Sequence, residues 1–323
     1  MSNAQMAPLR PETVTSILQS AVLAPSSHNT QPWHFEVDDQ TISLYADRTR
    51  ALPANDPEDR ELTISCGCAL MNLRVAAAHG NWAANYELLP NSEDEDLLAV
   101  VQLYSTEPSN SSEAELFSAI AHRRTYRKRF APREVSRSII EELVQAAAKE
   151  QAWLQVIDSE ETRQAVAALV AEGDAIQWSN PSWRRELAAW MHPRRRGDGL
   201  TVPGLVLPVA QAVVRTFDMG NGVGANDRQL ADESPVLAVL GTDGDGVQDW
   251  LAAGQALERV LLRAHRNGLQ ASHLNQPIQL ASLRIKLQHL LGRSGFPQLL
   301  LRFGFAEEEI PAAPRRRLED VVG

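Results

Sequence analysis

The sequence predicts an α+β protein made of two fused halves that form an intrachain pseudo-dimer. Three observations carry this. The order of elements (helix, short strand pair, long alanine-rich helix, two more strands) occurs twice along the chain. The two long helices can be laid over each other: "GCALMNLRVAAAHGN" from Gly67 and "GQALERVLLRAHRNG" from Gly254 share the Gly, the Ala-Leu and an Ala ten positions on. Shorter echoes fall in the same relative places, "ILQSA" at Ile17 with "LVQAA" at Leu143 and "WHFEV" at Trp33 with "WLQVI" at Trp153. Alanine- and leucine-rich helices align by chance, so the weight rests on the shared order rather than on any single match. The halves are expected at residues 1–109 and 110–323, the second with an insert at about 177–232.

Each element has a local reason. Residues 11–23 read as a helix, with Pro11 suited to its first position, Val14, Ile17, Leu18 and Ala21 on one face, and Pro25 ending it. Residues 33–37 and 41–45 read as strands across an Asp38-Asp39 turn. Residues 59–80 form the strongest helix of this half, stopped by Gly80, and strands follow near 86–89 and 97–104. A polar linker at 108–112 precedes a helix beginning at 113–121. The second half then offers a helix at 136–149, strands at 153–157 and 235–241, a helix at 250–268, and strands at 269–274 and 298–305.

Composition narrows the function. The 323 residues are 44% hydrophobic and 22% charged, enough for one large domain or two fused ones. A formal net charge of -10 argues against nucleic acid or an anionic membrane as partner. No window reaches the ~18 apolar residues of a membrane helix. Cys66 and Cys68 are too close for an ordinary disulfide, and with no signal-peptide pattern a cytoplasmic setting is expected. The histidines show no metal-ligand spacing, Cys66-x-Cys68 lies within a helix as small buried residues, and "GNGVG" at Gly220 lacks the strand-to-helix context of a nucleotide loop.

Three segments remain to be explained. "LAPSSHNTQPWHF", from Leu23, drives a serine- and amide-rich loop into an aromatic strand. Its Ser26, Ser27, Asn29 and Gln31 can pair with a flat ring carrying alternating carbonyls and N–H groups; a capped helix end before a buried strand is the plainer account. "RRTYRKRF", from Arg123, holds five basic side chains in seven residues. If it is extended, Arg123, Thr125 and Arg127 point one way, as a phosphate between two guanidinium forks requires; a solvated basic turn is the alternative. Arg315–Arg317 form a second basic cluster, either a charged tail or the other side of the same phosphate site. "GLQASHLNQPI", from Gly268, is a loop whose backbone amides can face a ligand, or simply a turn before a helix.

The halves also differ. The first has the "APSSHNTQPW" loop where the second has "AAKEQAW"; the second has "HRRTYRKRF" where the first has "QMAPLRP". Complementary loss is expected when two copies build one site together. The insert, with Trp178, Trp183, Trp190 and a "PRRRGDG" turn, has the length of a lid or binding loop.

"APSSHNTQPWHF" resembles the flavin-ring loop of the nitroreductase family, "RRTYR" its phosphate-binding Arg-x-Ser/Thr-x-Arg element, and "LLLRFGF…PRRRLEDVV" its closing strand and basic segment. The resemblance covers most of the chain outside the insert. Here the ring loop precedes the basic element, the reverse of ordinary members, which resembles the fused Acg-like branch in which one chain mimics the family's homodimer. The resemblance implies an α+β, nitroreductase-like fold and one FMN. Arg123, Arg124, Thr125 and Arg127 would hold its phosphate and ribityl chain, with Arg315 or Arg316 closing on the phosphate. Pro25, Ser26, Ser27 and Asn29 would contact the ring, Asn275 and Gln276 would bring a backbone N–H near N5, and Arg48 would flank the pyrimidine edge. It implies hydride transfer from NADH or NADPH through the flavin to a quinone or nitroaromatic acceptor, with no catalytic side chain. A lidded FMN-binding protein with little turnover is the alternative, and a flavin-free module for an acidic partner a third. The expected assembly is a monomeric pseudo-dimer or a weak homo-oligomer.

Overall fold

The computed structural model of the chain describes residues 10–107, 111–192, 197–202, 204 and 206–323. Part of the expected linker and most of the "PRRRGDG" turn lie outside these residues.

Helix α1 (Pro11–Ala21) begins with Pro11 in its first turn and buries Val14, Ile17, Leu18 and Ala21, the face its spacing prescribes. Strands β1 (Trp33–Asp38) and β2 (Thr41–Ala46) form a hairpin turned at Asp39, whose φ of 52° is left-handed. Helix α2 (Arg60–His79) is buried almost all round, and β3 (Trp82–Leu88) and β4 (Leu97–Ser105) complete an antiparallel sheet ordered β1-β2-β4-β3. The helix expected at 113–121 is shorter, a 3-10 turn at Ala114–Leu116 followed by α3 (Phe117–Ile120).

The second half repeats the plan with α4 (Arg137–Ala148) and β5 (Trp153–Val156), and then departs from it. The extra segment starts earlier than the sequence suggests. Helix α5 (Glu160–Ser179) opens it, its cap Ser159 accepting from Thr162 N–H. Helix α6 (Pro181–Ala189), the two-residue strands β6 (Met191–His192) and β7 (Leu200–Thr201), α7 (Leu207–Thr216) and α8 (Gly220–Asp232) follow. The glycine-rich stretch from Gly220 is the first turns of α8. Its glycines serve close packing: a Cβ on Gly220 would sit 3.0 Å from Ala175 Cα, and one on Gly224 3.1 Å from the Ala171 carbonyl, both on α5. The plan resumes with β8 (Val236–Thr242), α9 (Val247–Arg266), β9 (Gln270–His273), α10 (Gln276–Gln279), α11 (Ala281–Leu291) and β10 (Phe296–Gly304).

The second sheet is ordered β5-β8-β10-β9 and is also antiparallel. In each sheet the strands stand first, second, fourth, third, and in each half the long helix follows the second strand. The two long helices pack on one another, with α1 against α2 and α4 against α9. Their crossing point is the aligned glycine pair. A Cβ on Gly67 would meet the Leu251 carbonyl at 2.5 Å and Gly254 Cα at 2.9 Å; one on Gly254 would meet the Ile64 carbonyl at 2.1 Å and Gly67 Cα at 2.8 Å. Ile64 and Leu251 each stand three residues before their glycine, so the contact is reciprocal.

All of β8 is buried: Val236, Ala238 and Leu240 join the central core under α9, while Leu237 and Val239 join a second core under α5 and α11. The insert therefore covers one side of the second sheet. Two segments cross between halves. The C-terminal tail lies beside β1, Phe35 N–H donating to Val321 O at 2.8 Å and Gly323 N–H to Phe35 O at 2.9 Å. The basic segment pairs with β9 through Thr125 and Ala271. No helix among the described residues is long and apolar enough to cross a membrane.

Candidate functional site

A cavity of about 340 Å3 opens between the halves, within the range of small-molecule sites. Its first wall is the loop after α1. The chain leaves that helix at Val22 and makes a 3-10 turn at Ser27–Asn29 with left-handed φ at His28 (49°), Asn29 (55°) and Gln31 (52°). Ser26 Oγ accepts from Gln31 N–H at 2.9 Å and locks the turn. Pro25, Ser26, Ser27 and His28 face the cavity.

The amides of this loop do different work. Asn29 Nδ2 donates to Pro314 O at 3.1 Å, and its Oδ1 accepts from Arg315 Nη1 at 3.2 Å. Buried Gln31 donates to Gly197 O at 2.8 Å and accepts from Arg316 N–H at 2.9 Å. Both fasten the loop to the C-terminal segment and the insert, and neither lines the cavity. The question the loop poses is answered in part: its serines and histidine face the cavity, its amides are straps.

The basic segment runs extended along β9, so alternate side chains part. Thr125 and Arg127 line the cavity, while Tyr126 turns into the protein and stacks on Phe130 at 5.3 Å between centroids. Arg127 is exposed and has no hydrogen-bond or ion-pair partner among the described residues. Arg123 is buried behind the cavity wall, its Nε 3.4 Å from Glu258 Oε1 and its Nη2 3.4 Å from Leu23 O. Arg315 reaches the same place, donating to Leu23 O at 2.9 Å and Ala24 O at 3.2 Å. The two arginines thus converge on the carbonyl end of α1, where positive charge is favoured. Burial, then the charge of Arg123, lowers Arg315 to about 9, and burial raises Glu258.

Other expected residues lie elsewhere. Arg124 turns back on Ala121 O and Arg123 O, both at 2.8 Å. Arg316 holds Gln31 O at 3.1 Å. Arg48 does not reach the cavity: it pairs with Asp59 and Asp96, each at 2.5 Å, on the surface beyond β2. Carboxylates local to Arg48 satisfy it, so its expected place at a ring edge is corrected.

Asn275 and Gln276 line the opposite wall at the start of α10. The Asn275 side chain is engaged, donating to Glu61 Oε1 at 3.3 Å and accepting from Leu300 N–H at 3.0 Å. Glu61, in the first turn of α2, is the hub that joins the walls. It accepts from Ser27 Oγ at 2.6 Å, Asn55 Nδ2 at 3.3 Å and Gln279 Nε2 at 2.9 Å. His28 and His273 also line the cavity, lowered to about 4 and about 3. Burial is the main cause in each, and the Arg127 charge adds to both. From the insert, Trp178, Trp183, Leu187 and Val223 form the cover, with Asp174 and Asp227 beside Gln276. Helix α6 is tied to the first half: Trp183 Nε1 donates to Asn55 Oδ1 at 2.9 Å, and Glu186 accepts from Ala54 N–H at 2.8 Å and Asn55 N–H at 2.9 Å.

Glu61, Glu258, Asp174, Asp227, Asn55 and His273 were not singled out in the sequence. His28 and His273 each stood inside a quoted loop, "LAPSSHNTQPWHF" and "GLQASHLNQPI", and those were the signals available. Two lining side chains carry buried polar atoms without a partner among the described residues, His28 Nδ1 and Gln276 Oε1; Arg123 Nε, Arg315 Nε and both Glu258 oxygens lack a hydrogen bond close behind. Native interiors leave few such groups. The described residues include no group of His, Cys, Asp and Glu able to hold a metal ion.

No family model matches the chain. Two Mycobacterium tuberculosis proteins, Rv3131 and Acg, each named "Putative NAD(P)H nitroreductase", are 32% identical to it. The match to Rv3131 runs over 320 residues, 96% of this chain and 91% of that protein; the match to Acg runs over 317 residues, 96% and 95%. "Probable NAD(P)H nitroreductase PigM" of a Serratia strain is 22% identical over 341 residues, 96% of this chain and 94% of the relative. Among solved structures, the FMN and NADPH-dependent nitroreductase NfnB of Sphigopyxis sp. strain HMH superposes with a TM-score of 0.45 at 21% identity, covering 64% of this chain and 97% of that one. With 32% identity to Rv3131 and Acg over nearly its whole length, the chain belongs to the nitroreductase family.

Proposed function

We propose that the cavity holds one FMN and that the chain is an NAD(P)H-dependent oxidoreductase acting on quinone or nitroaromatic acceptors. The carrying observation is convergence. The loop of residues 25–28 comes from the first half, Thr125, Arg127, Asn275 and Gln276 come from the second, and they meet at one cavity that contains unpartnered buried polar atoms. A ring with carbonyls and N–H groups and an anionic tail matches that donor set. The names of Rv3131 and Acg support the nicotinamide donor.

FMN, when bound, supplies two-electron transfer between a nicotinamide and an acceptor. The protein supplies placement and shielding. Arg127, exposed and unpaired, with the Thr125 hydroxyl beside it, suits the phosphate. Arg123 and Arg315 act from behind the loop, where they hold the end of α1 and add positive field. Arg124 and Arg316 brace the segments on either side. Pro25, Ser26 and Ser27 shape the ring wall, Asn29 straps that loop to the C-terminal segment, and Asn275 and Gln276 form the opposite wall, where their backbone N–H groups would approach the ring. Trp178 and Trp183 keep water from the covered side.

This reading takes the chain as two fused halves, residues 1–109 and 110–323, forming a pseudo-dimer with a single composite site. The repeated strand order and the reciprocal Gly67–Gly254 contact support it. The hydrogen bonds that tie α6 across the cavity favour a second reading, a lidded FMN holder with little turnover. Anaerobic mixing with NADPH and NADH separates the two. Rapid bleaching of the flavin, followed by reoxidation with a quinone or nitrofuran, is the result expected of the oxidoreductase. A flavin that stays oxidised with both nucleotides overturns it and leaves the holder.

A further inference from the structure

Two carboxylates of the insert have no role in holding a flavin. Asp174 on α5 and Asp227 on α8 both line the cavity and meet on one nitrogen. Gln276 Nε2 donates to Asp227 Oδ2 at 2.8 Å and to Asp174 Oδ1 and Oδ2 at 3.2 and 3.3 Å. Asp174 is 3% exposed. Among the described residues no cation lies within ion-pair distance of either carboxylate, and Arg302 and Arg127 act on Asp227 only from farther off. The charged and titratable groups facing them are Arg127 of the basic segment, Arg302 of β10 and His273 of β9. His273 is held neutral and brings no positive charge.

Two like charges on a single amide, one of them buried at Asp174 and the other half-buried at Asp227, do not both ionise readily. The proton they retain belongs to the pair. Burial first, and the Asp227 charge second, push Asp174 up to about 7. A second observation points to a ligand in the same cavity: His28 Nδ1 is buried there without a partner among the described residues.

We propose that Asp174 and Asp227 share one proton and that Asp174 delivers it to the oxygen of the bound oxidant. The proposal rests on the oxidoreductase reading above. A quinone becomes a hydroquinone by gaining two electrons and two protons. The bound FMN would supply both electrons and one of the protons as hydride, which leaves one proton for the protein to provide. The O–H bond of Asp174 breaks, an O–H bond forms on the quinone oxygen, and the carboxylate left behind takes its proton back from water. Asp227 is the positioning residue: its charge keeps the Asp174 proton in place until the oxidant arrives.

The test has two arms. On the flavin-free full chain, infrared difference spectra between pH 6 and pH 9 should show a protonated carboxyl band that disappears in Asp174→Asn. On the flavin-loaded chain, stopped flow separates the half-reactions. Asp174→Asn should slow oxidation by benzoquinone at pH 6 by about ten-fold to a hundred-fold, within the span of general-acid effects, and leave bleaching by NADPH unchanged. Asp174→Glu should recover part of the rate, and Asp227→Asn should move the pH limb of the oxidative step to lower pH. The absence of the band, or equal oxidative rates in wild type and Asp174→Asn, overturns the proposal. So does equal slowing of both half-reactions, which would mark an altered cover. A chain that takes no flavin yet shows the band overturns delivery and the oxidoreductase reading together; a chain that turns over without the band overturns the proton pair alone.

Discussion

At the scale of residues, neighbours decide role. Arg48 and Arg127 carry the same guanidinium, but Arg48 is satisfied by Asp59 and Asp96 while Arg127 faces the cavity without an ion pair among the described residues. Arg127→Ala should weaken FMN binding by about ten-fold or more, since a hydrogen bond to a charged group contributes roughly 1.5–3 kcal/mol. Arg48→Ala should leave flavin affinity unchanged and alter stability by about 1 kcal/mol or less. Fluorescence titration of the flavin-free chain with FMN reads both, and equal affinity in wild type and Arg127→Ala would refute the assignment. Asp174 gives a pH signature. Its folded pKa, about 7, lies above the ordinary 3.8, so the folded chain binds the extra proton and loses stability as pH rises from about 4 to 7. The melting temperature of Asp174→Asn should therefore gain on wild type across that window and hold its lead above it; a lead that shrinks with rising pH would contradict the assignment. The ring loop and basic segment were legible in the sequence because each is a local cluster with its own chemistry. Glu61 was not, because its partners Asn275 and Gln279 lie on α10 in the other half. Nothing near an ordinary first-turn glutamate announces contacts that only the fold creates.

Elements show where local pattern suffices and where it misleads. The strands beginning at Trp33 and Trp153 and the long helices α2 and α9 fall close to their expected positions, the helices because an alanine- and leucine-rich run with a glycine just past its end is a local signal. The insert escaped that logic. Its glycine-rich stretch is helical because Gly220 and Gly224 let α8 approach α5, a contact that composition does not display. The tryptophans of the insert looked equivalent in sequence and are not. Trp178 and Trp183 cover the cavity, whereas Trp190 lies outside it and carries Arg50 over its ring at 5.3 Å. Trp183→Ala removes both the Asn55 bond and a wall of the cover. It should speed anaerobic bleaching by NADPH, since hydride transfer needs an approach of roughly 3–3.5 Å that a covered ring denies. Trp190→Ala should not speed it. Stopped-flow traces of the two variants against wild type give the answer, and identical traces for Trp183→Ala and wild type would remove the cover from the account.

For the whole molecule, the aligned glycines were visible in sequence, but their meeting was not: an alignment shows likeness, not contact. Their reciprocal approach makes the crossing intolerant. In Gly254→Ala the new Cβ would lie 2.1 Å from the Ile64 carbonyl and 2.8 Å from Gly67 Cα, backbone atoms that cannot turn aside. Overpacking of this kind costs about 1–3 kcal/mol or more, so the variant should melt earlier in a thermal scan and bind flavin less well; an unchanged melting curve would mean that the crossing adapts. The two halves also differ where the proposed single site requires it. The loop after α1 opens on the cavity, while the corresponding turn after α4 is closed by Glu150, which is buried between Arg74 at 2.7 Å and Arg259 at 2.6 Å. The central claim is that two similar halves build one composite flavin site. Its direct test is stoichiometry: FMN released by heat, measured by absorbance against protein from quantitative amino-acid analysis after saturation and desalting. The account predicts about one FMN per chain. Two per chain would show that each half keeps its own site, and none would show that the cavity is not a flavin site.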